Sequence, residues 1–157
     1  MILYHGSNVE ILQVDLLKCK PNKDFGRAFY LSESREQALE LAQAKVDSLK
    51  QGNPIVTAFE IDDGLLDGDS LKVLRFSHYD SAWADFIFSN RNGDTASHGY
   101  DIVYGPIAND KVGLQIFNLR RNYISREVFL ERLKYMKGET FQYALCTEAA
   151  ISKLHRV

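Results

Sequence analysis

Two short segments near the start of the chain carry residues whose types and spacing suit ligand chemistry. In the first, an imidazole and a hydroxyl flank a glycine directly after an apolar run, as His5-Gly6-Ser7. Because glycine has no Cβ, its N–H and C=O can pair with a planar amide at close range. The simpler interpretation is that the histidine ends a strand, the glycine makes a turn and the serine caps it.

The second segment, Asp24–Ser32, reads DFGRAFYLS and combines a glycine, a cation and aromatic residues. The Tyr30 ring can form one wall of a pocket for an aromatic ring, and the nearby Arg27 guanidinium can hold a pyrophosphate. Taken singly, a tyrosine in such a place more often belongs to the core.

Short β-branched and aromatic runs bounded by turn residues predict the strands that must position these segments. The first strand leads into a turn at Gly6-Ser7-Asn8, and a later loop runs from Asn92 through Gly99. The predicted strands are Ile2–Tyr4, Ala28–Leu31, Ile55–Ile61, Leu71–Phe76, Tyr100–Tyr104 and Phe141–Cys146.

Apolar residues at helical spacing predict the helices. The clearest pattern, capped by Ser32 or Ser34 and stopped by Gly52, has an apolar face formed by Ala38, Leu41, Ala42, Val46 and Leu49. Further helices are predicted over Ser81–Asn90, from Asn109 or Asp110, over Ser125–Tyr135 and after a cap at Thr147. The elements do not alternate as in a doubly wound sheet, so we expect one α+β domain over residues 1–157 with mixed or antiparallel strands.

Composition narrows the function classes. The chain has 157 residues, 45% hydrophobic and 25% charged, with a net charge of -2, so it lacks the basic excess of a protein that grips phosphate backbones. No run approaches the length of a membrane helix and no signal peptide is recognisable, which predicts a cytoplasmic protein without a membrane partner. Cys19 and Cys146 have no metal-ligand or disulfide pattern, and neither do the histidines, so no metal is expected.

Together the two segments resemble the ADP-ribosyltransferase superfamily of the poly-ADP-ribose polymerase and diphtheria-toxin type. That superfamily reads H-G-[ST] and then G-x-[GA]-[IF]-Y-[FLM]-[AST], and this chain has both in the same order. The chain is also similar to an uncharacterised bacterial branch with D-F-G-x-G-F-Y-L-[ST], I-G-P-[VI]-A-N-D and Q-[YF]-x-[FL]-x-T-E. The matching segments here are Asp24–Ser32, Tyr104–Asp110 and Gln142–Glu148, so the likeness spans nearly the whole chain.

The resemblance implies split β-sheets flanked by helices and NAD as co-substrate. It implies that His5 bonds a ribose hydroxyl, that the Gly6 backbone pairs with the carboxamide and that Tyr30 stacks on the nicotinamide ring. Ser7 and Arg27 complete the implied NAD contacts, and His5, Tyr30 and Gln142 form the implied catalytic set.

The chain departs from this pattern at two places. Gln142 stands where the transferases have a glutamate that stabilises the positive centre formed as nicotinamide leaves, and an amide supplies no such charge. Glu148 is a possible substitute, although a carboxylate in the first turn of a helix has an ordinary explanation. Leu41 and Ala42 stand where an aromatic residue often forms the second wall of the pocket.

Three functions follow from the resemblance. The favoured one is a mono-ADP-ribosyltransferase acting on a protein or nucleic-acid acceptor. The family context suggests the role of a toxin with an antitoxin partner. The alternatives are an NAD glycohydrolase, in which water replaces the acceptor, and a module that binds NAD without turnover. Asn109 and Asp110 are explained by capping a helix after a Gly-Pro turn.

Overall fold

The computed structural model describes residues 1–93, 98–136 and 140–157. In these residues the strands are β1 (Ile2–Ser7), β2 (Phe29–Leu31), β3 (Ile55–Glu60), β4 (Val73–Arg75), β5 (Ile102–Pro106), β6 (Phe141–Leu145) and β7 (His155–Arg156). The helices are α1 (Arg35–Leu49), α2 (Gly64–Asp67), α3 (Ser81–Arg91), α4 (Asp110–Arg120), α5 (Arg126–Leu133) and α6 (Glu148–Ile151), with a 3₁₀ turn at Leu16–Lys18.

The strands form two separate sheets. One has the order β1-β3-β7 and is antiparallel, and the other has the order β2-β6-β5-β4, in which only the β4–β5 pair is parallel among the described residues. The α+β class with mixed and antiparallel strands is therefore confirmed. The sheets touch at one isolated antiparallel bridge, where Tyr4 and Ser32 exchange N–H···O bonds of 2.8 and 2.9 Å.

Two hydrophobic clusters hold the sheets in place. One packs helices α3, α4 and α5 against the four-stranded sheet and includes the fully buried Phe25, Trp83 and Phe129. The other fills the space between the two sheets and includes Leu3 and Leu145. Since strand side chains alternate between faces, β2 contributes Phe29 and Leu31 to the second cluster and directs Tyr30 to the first.

Polar N-caps begin three helices at places that the sequence predicts. Ser34 accepts a hydrogen bond from the Gln37 N–H at 3.2 Å, and Asn109 accepts one from the Val112 N–H at 2.9 Å. Thr147 likewise caps α6. Each such cap contributes on the order of 1 kcal/mol.

The turn predicted at Gly6-Ser7-Asn8 is wrong, because β1 continues through Ser7. The strand continues because β3 offers it partners as far as Ile55, a long-range pairing that local turn propensity does not reveal. The apolar face predicted for α1 is also partly wrong. Its buried residues are Ala38 and Ala42, whereas Leu41 and Leu49 are half exposed.

The remaining differences concern short elements. The 3₁₀ turn, α2 and β7 have no sequence prediction, since each is too short to show a periodic pattern. The helix predicted to Tyr135 ends at Leu133. The loop predicted from Asn92 through Gly99 includes residues 94–97, which lie outside the described part of the chain.

Candidate functional site at the divergence of the two sheets

Beyond the Tyr4–Ser32 bridge, strands β1 and β2 diverge and leave two backbone edges facing each other. Met1 exchanges hydrogen bonds with Ile61, so the odd-numbered residues of β1 bond to β3 and the even-numbered residues point away from it. The outward N–H and C=O of Tyr4 form hydrogen bonds with Ser32. Continued by two residues, the same register would pair Gly6 with Tyr30.

Gly6 and Tyr30 do not form that pair. The Tyr30 carbonyl instead accepts a hydrogen bond from the His5 side chain, with 2.7 Å between Nδ1 and O. The Gly6 N–H and C=O point towards β2, and within the described residues neither has a hydrogen-bond partner. The gap therefore presents one backbone donor and one backbone acceptor side by side, an arrangement that matches a planar amide.

Helix α1 covers the other side of Gly6. A Cβ at this position would lie 1.8 Å from the Ala38 carbonyl oxygen and 2.9 Å from the Ala42 nitrogen. Glycine is thus required by the close approach of helix and strand, a reason that differs from both the ligand and the turn interpretations of the sequence. The same contact fixes the direction of the Gly6 N–H and C=O.

The His5 hydrogen bond determines its tautomer. A carbonyl oxygen only accepts, so Nδ1 carries the proton and Nε2 is left as an acceptor. Burial lowers the pKa of the His5 ring and the charge of Lys45 lowers it further, against the opposite effect of the bond to Tyr30. Because every buried side-chain nitrogen and oxygen among the described residues has a partner, and Nε2 has none there, Nε2 reaches solvent. It can accept a hydrogen bond from a ligand hydroxyl.

The hydroxyl of Tyr30 is fixed by two hydrogen bonds to the backbone. Its hydroxyl donates to the Gly26 carbonyl at 2.7 Å and accepts from the Phe25 N–H at 3.0 Å. Burial raises the pKa of this hydroxyl far above its ordinary value. The hydroxyl is therefore a fixed structural group, and only the ring is left to contact a ligand.

Gln142 lies on the same face of the four-stranded sheet as Tyr30. Tyr30 pairs with Ala144, and the register places Gln142 two residues further along β6, opposite Ser32. Residues diagonal across an antiparallel pair lie about 7–8 Å apart, within reach of a long side chain. The His5 ring stacks instead on Phe29, which projects to the opposite face of β2, with ring centroids 4.2 Å apart. The structure therefore places His5, Gly6 and Tyr30 at the gap, and it places Gln142 on the neighbouring strand, on the same face of the sheet as Tyr30.

Ser7 and Arg27 have other partners in this structure. Ser7 is 1% exposed, and its hydroxyl is 3.4 Å from both the Asn8 amide oxygen and the Lys45 ammonium. The Arg27 guanidinium donates from Nη1 to the carbonyls of Leu17 and Cys19, at 3.1 and 2.6 Å. It holds the 3₁₀ turn against the strand and keeps its other N–H groups exposed.

The Asp24–Gly26 loop is anchored by side chains that the sequence did not single out. Arg91 forms a half-buried ion pair of 2.6 Å with Asp24, and Asn90 donates to the Asp24 carbonyl at 3.0 Å. His98 donates to the Phe25 carbonyl at 2.9 Å and accepts from the Tyr100 N–H at 3.1 Å. In the sequence, Asn90 and Arg91 indicate only ordinary surface polarity at the end of a predicted helix.

A carboxylate that the sequence analysis overlooked lies near β6. Glu33 accepts a hydrogen bond of 2.7 Å from the Tyr143 hydroxyl, next to the paired rings of Tyr104 and Phe141. Tyr143 projects to the opposite face of β6 from Gln142, so Glu33 lies behind the strand that carries Gln142. Glu33 therefore does not supply a carboxylate on the face of β6 that carries Gln142.

Glu148 lies outside β6. It begins α6 directly after the Thr147 cap, whereas Gln142 lies within β6. This position explains Glu148 as a helix-start carboxylate. Asn109 caps α4 and Asp110 begins it, as expected from their sequence context.

Two cavities in the described residues lie away from this gap. One, of about 650 Å³, lies between Ser77–Ser81 and the segment from Leu130 to Met136, and the other, of about 410 Å³, is lined by Met1 and Asp63 among others. No described helix has the length and apolar character needed to cross a membrane.

Comparison with known proteins adds the family. Residues 1–156 match the family described as Protein of unknown function (DUF3990). The chain belongs to this family. No curated protein and no solved structure matches it. The DUF3990 match covers both β1 and β6, so all the residues around the gap fall inside the family region.

Proposed function

We propose that this member of the DUF3990 family is an ADP-ribosyltransferase that binds NAD where β1 and β2 diverge. The proposal rests above all on the Gly6 edge, where a backbone donor and a backbone acceptor face the gap without protein partners. The nicotinamide carboxamide offers the complementary acceptor and donor. The separation of the two sheets beyond the Tyr4–Ser32 bridge agrees with the split-sheet fold that the resemblance implies.

The residues around the gap suit breakage of the bond between nicotinamide and ribose. The Tyr30 ring, fixed through its hydroxyl, offers a rigid surface for the nicotinamide ring. The His5 Nε2 atom accepts from a ribose hydroxyl. Nicotinamide then leaves as a neutral molecule, and the ribose carbon that it leaves becomes positively charged until an acceptor adds and loses its proton.

The amide of Gln142 makes glycohydrolysis the second candidate. A carboxylate at this position would stabilise the developing cation and assist an acceptor, whereas an amide provides only its carbonyl oxygen. Water requires no dedicated acceptor-binding residue, so hydrolysis is less affected by this replacement. A chain that binds NAD without cleaving it is the third possibility.

Purified protein incubated with labelled NAD and a cell lysate distinguishes these functions. Transfer gives free nicotinamide together with label retained on protein or nucleic acid. Hydrolysis gives nicotinamide without retained label, and simple binding gives neither, although NAD still raises the melting temperature. Tyr30→Ala should abolish turnover, while Tyr123→Ala, which removes a 68% exposed tyrosine elsewhere, serves as the matched control.

A toxin role, with an antitoxin as partner, is a proposal on the resemblance alone. Expression of the wild-type chain should slow growth of the host, and expression of Tyr30→Ala should not. Equal growth of the two cultures would remove this part of the proposal and leave the enzymatic part untouched.

A further inference from the structure

Two cations stand beside the gap on the face that carries His5. Lys45, on α1, places its ammonium 3.4 Å from the Ser7 hydroxyl, and Arg27 lies in the segment that leads into β2. Both charges act on the Cys19 thiol, lowering its pKa against the larger, raising effect of burial. Ser7, which Lys45 contacts, lies on the same face of β1 as His5, and Arg27 precedes by two residues the Phe29 ring on which His5 stacks. The two cations therefore flank the same face of the gap from two different elements.

Neither cation is neutralised by an ion pair within the described residues. Asp15 is a carboxylate whose charge also acts on Cys19, where it raises the pKa of the thiol. Its oxygen accepts a hydrogen bond from the Leu17 N–H and caps the 3₁₀ turn. Arg27 uses Nη1 on two carbonyls and keeps Nη2 and Nε for other acceptors. Lys45 keeps two of its three N–H donors.

We propose that Lys45 and Arg27 together bind the diphosphate of the dinucleotide, on the face of the gap that His5 and Ser7 share. This inference rests on the function proposed above and deepens it. An ammonium and a guanidinium supply several donors and two positive charges, the combination that a diphosphate requires. The adenosine half of NAD then extends across α1 and the 3₁₀ turn, away from Tyr30 and Gln142.

The arrangement also gives the site a preference among ligands. Nicotinamide riboside carries the amide and the ribose but no phosphate, so it engages the Gly6 edge, Tyr30 and His5 without either cation. ADP-ribose carries the diphosphate without the amide, so it depends on Lys45 and Arg27. The two ligands thus report separately on the two halves of the site.

Calorimetric titration of the wild type, Lys45→Gln and Lys45→Arg with both ligands tests the inference. Lys45→Gln should weaken ADP-ribose binding about tenfold, as expected for one charge-assisted hydrogen bond, while nicotinamide riboside binding changes less than about twofold. Lys45→Arg should restore most of the affinity for ADP-ribose. Lys111→Gln removes the charge of a lysine on α4 and is the matched control. This variant should bind both ligands as the wild type does.

The salt dependence provides a second measurement. Wild-type affinity for ADP-ribose should fall as ionic strength rises, and fall less steeply in Lys45→Gln. Arg27→Gln should repeat the loss, although it also frees the 3₁₀ turn, so its melting temperature is measured alongside.

The outcomes separate the two proposals. If the wild type binds ADP-ribose and Lys45→Gln binds it equally well, the assignment of Lys45 is wrong and the proposed function stands. If the wild type binds neither ligand nor NAD, the proposed function fails and the diphosphate site fails with it.

Discussion

His5 and His98 hold the two ends of the same segment, but they leave different groups free. Each donates one ring N–H to a backbone carbonyl, His5 to that of Tyr30 and His98 to that of Phe25. The second nitrogen of His98 accepts from the Tyr100 N–H, whereas the second nitrogen of His5 has no partner among the described residues. A histidine with both nitrogens bonded to protein is structural, and one with an open acceptor can also serve a ligand.

Of the two histidines, His5 should have the larger effect on activity when it is removed. In His5→Ala the site loses the free Nε2 acceptor and the group that occupies the Tyr30 carbonyl. We expect nicotinamide release to fall about 100-fold, the typical effect of deleting one preorganised polar group from an active site. Initial rates with NAD measure this, and a variant with at least half the wild-type rate would show that His5 has no part in turnover.

Removing His98 should cost stability and spare activity. His98→Ala leaves the Phe25 carbonyl and the Tyr100 N–H without partners, a loss of about 1–3 kcal/mol in the free energy of unfolding. For a chain of this length, that lowers the melting temperature by roughly 2–4 °C per kcal/mol. Thermal unfolding gives the shift. If the rate per folded molecule of His98→Ala fell as far as that of His5→Ala, the distinction between a structural and a ligand-binding histidine would be wrong.

Replacing the amide of Gln142 by a carboxylate should increase the rate of nicotinamide release. Gln142→Glu introduces a negative charge where the ribose cation is expected, and we expect nicotinamide release to rise about tenfold, or 1.4 kcal/mol in barrier height. Glu148→Gln, at the start of α6, is the control and should not change the rate. A slower Gln142→Glu enzyme would place the reacting ribose elsewhere.

The smallest expected effect concerns pH. The pKa of His5 in the folded chain lies below its ordinary value of 6.5, so the unfolded chain takes up this proton first as the pH falls. The stability linked to neutral His5 is complete above pH 6.5 and is lost as the pH falls from there towards the folded pKa.

Melting temperatures of the wild type and His5→Gln, measured from about pH 8 to about pH 5, test this linkage. The wild type should lose more stability on acidification than the variant. Parallel curves would mean that His5 is not held neutral by its surroundings.

Much of the architecture was predictable from local pattern. Caps at Ser34, Asn109 and Thr147 follow from side-chain chemistry that acts over three residues, and the strands follow from short runs of β-branched and aromatic residues. The extent of β1 was not predictable, because Gly6 and Ser7 have poor strand propensity and belong to the strand only through β3.

The sequence names His5, Gly6, Tyr30 and Gln142 as candidates without indicating their geometry. The structure places the first three at the gap and Gln142 on the neighbouring strand. The sequence did not identify Lys45, which contacts Ser7 across 38 residues of chain. It also did not identify the anchors of the Asp24–Gly26 loop, which come from α3 and from His98. Such contacts depend on how helices pack against strands, and no local pattern records them.

The sequence by itself determined which groups are available: an imidazole next to a glycine, an aromatic ring in a strand, and the amide of Gln142. Only the tertiary structure decided where their hydrogen bonds go. Pairing with β3 directs the Gly6 N–H and C=O away from that strand, and the departure of β2 after Ser32 leaves them unused by any described residue. Backbone groups alternate in direction along a strand, so their availability depends on register, which is a property of the whole fold.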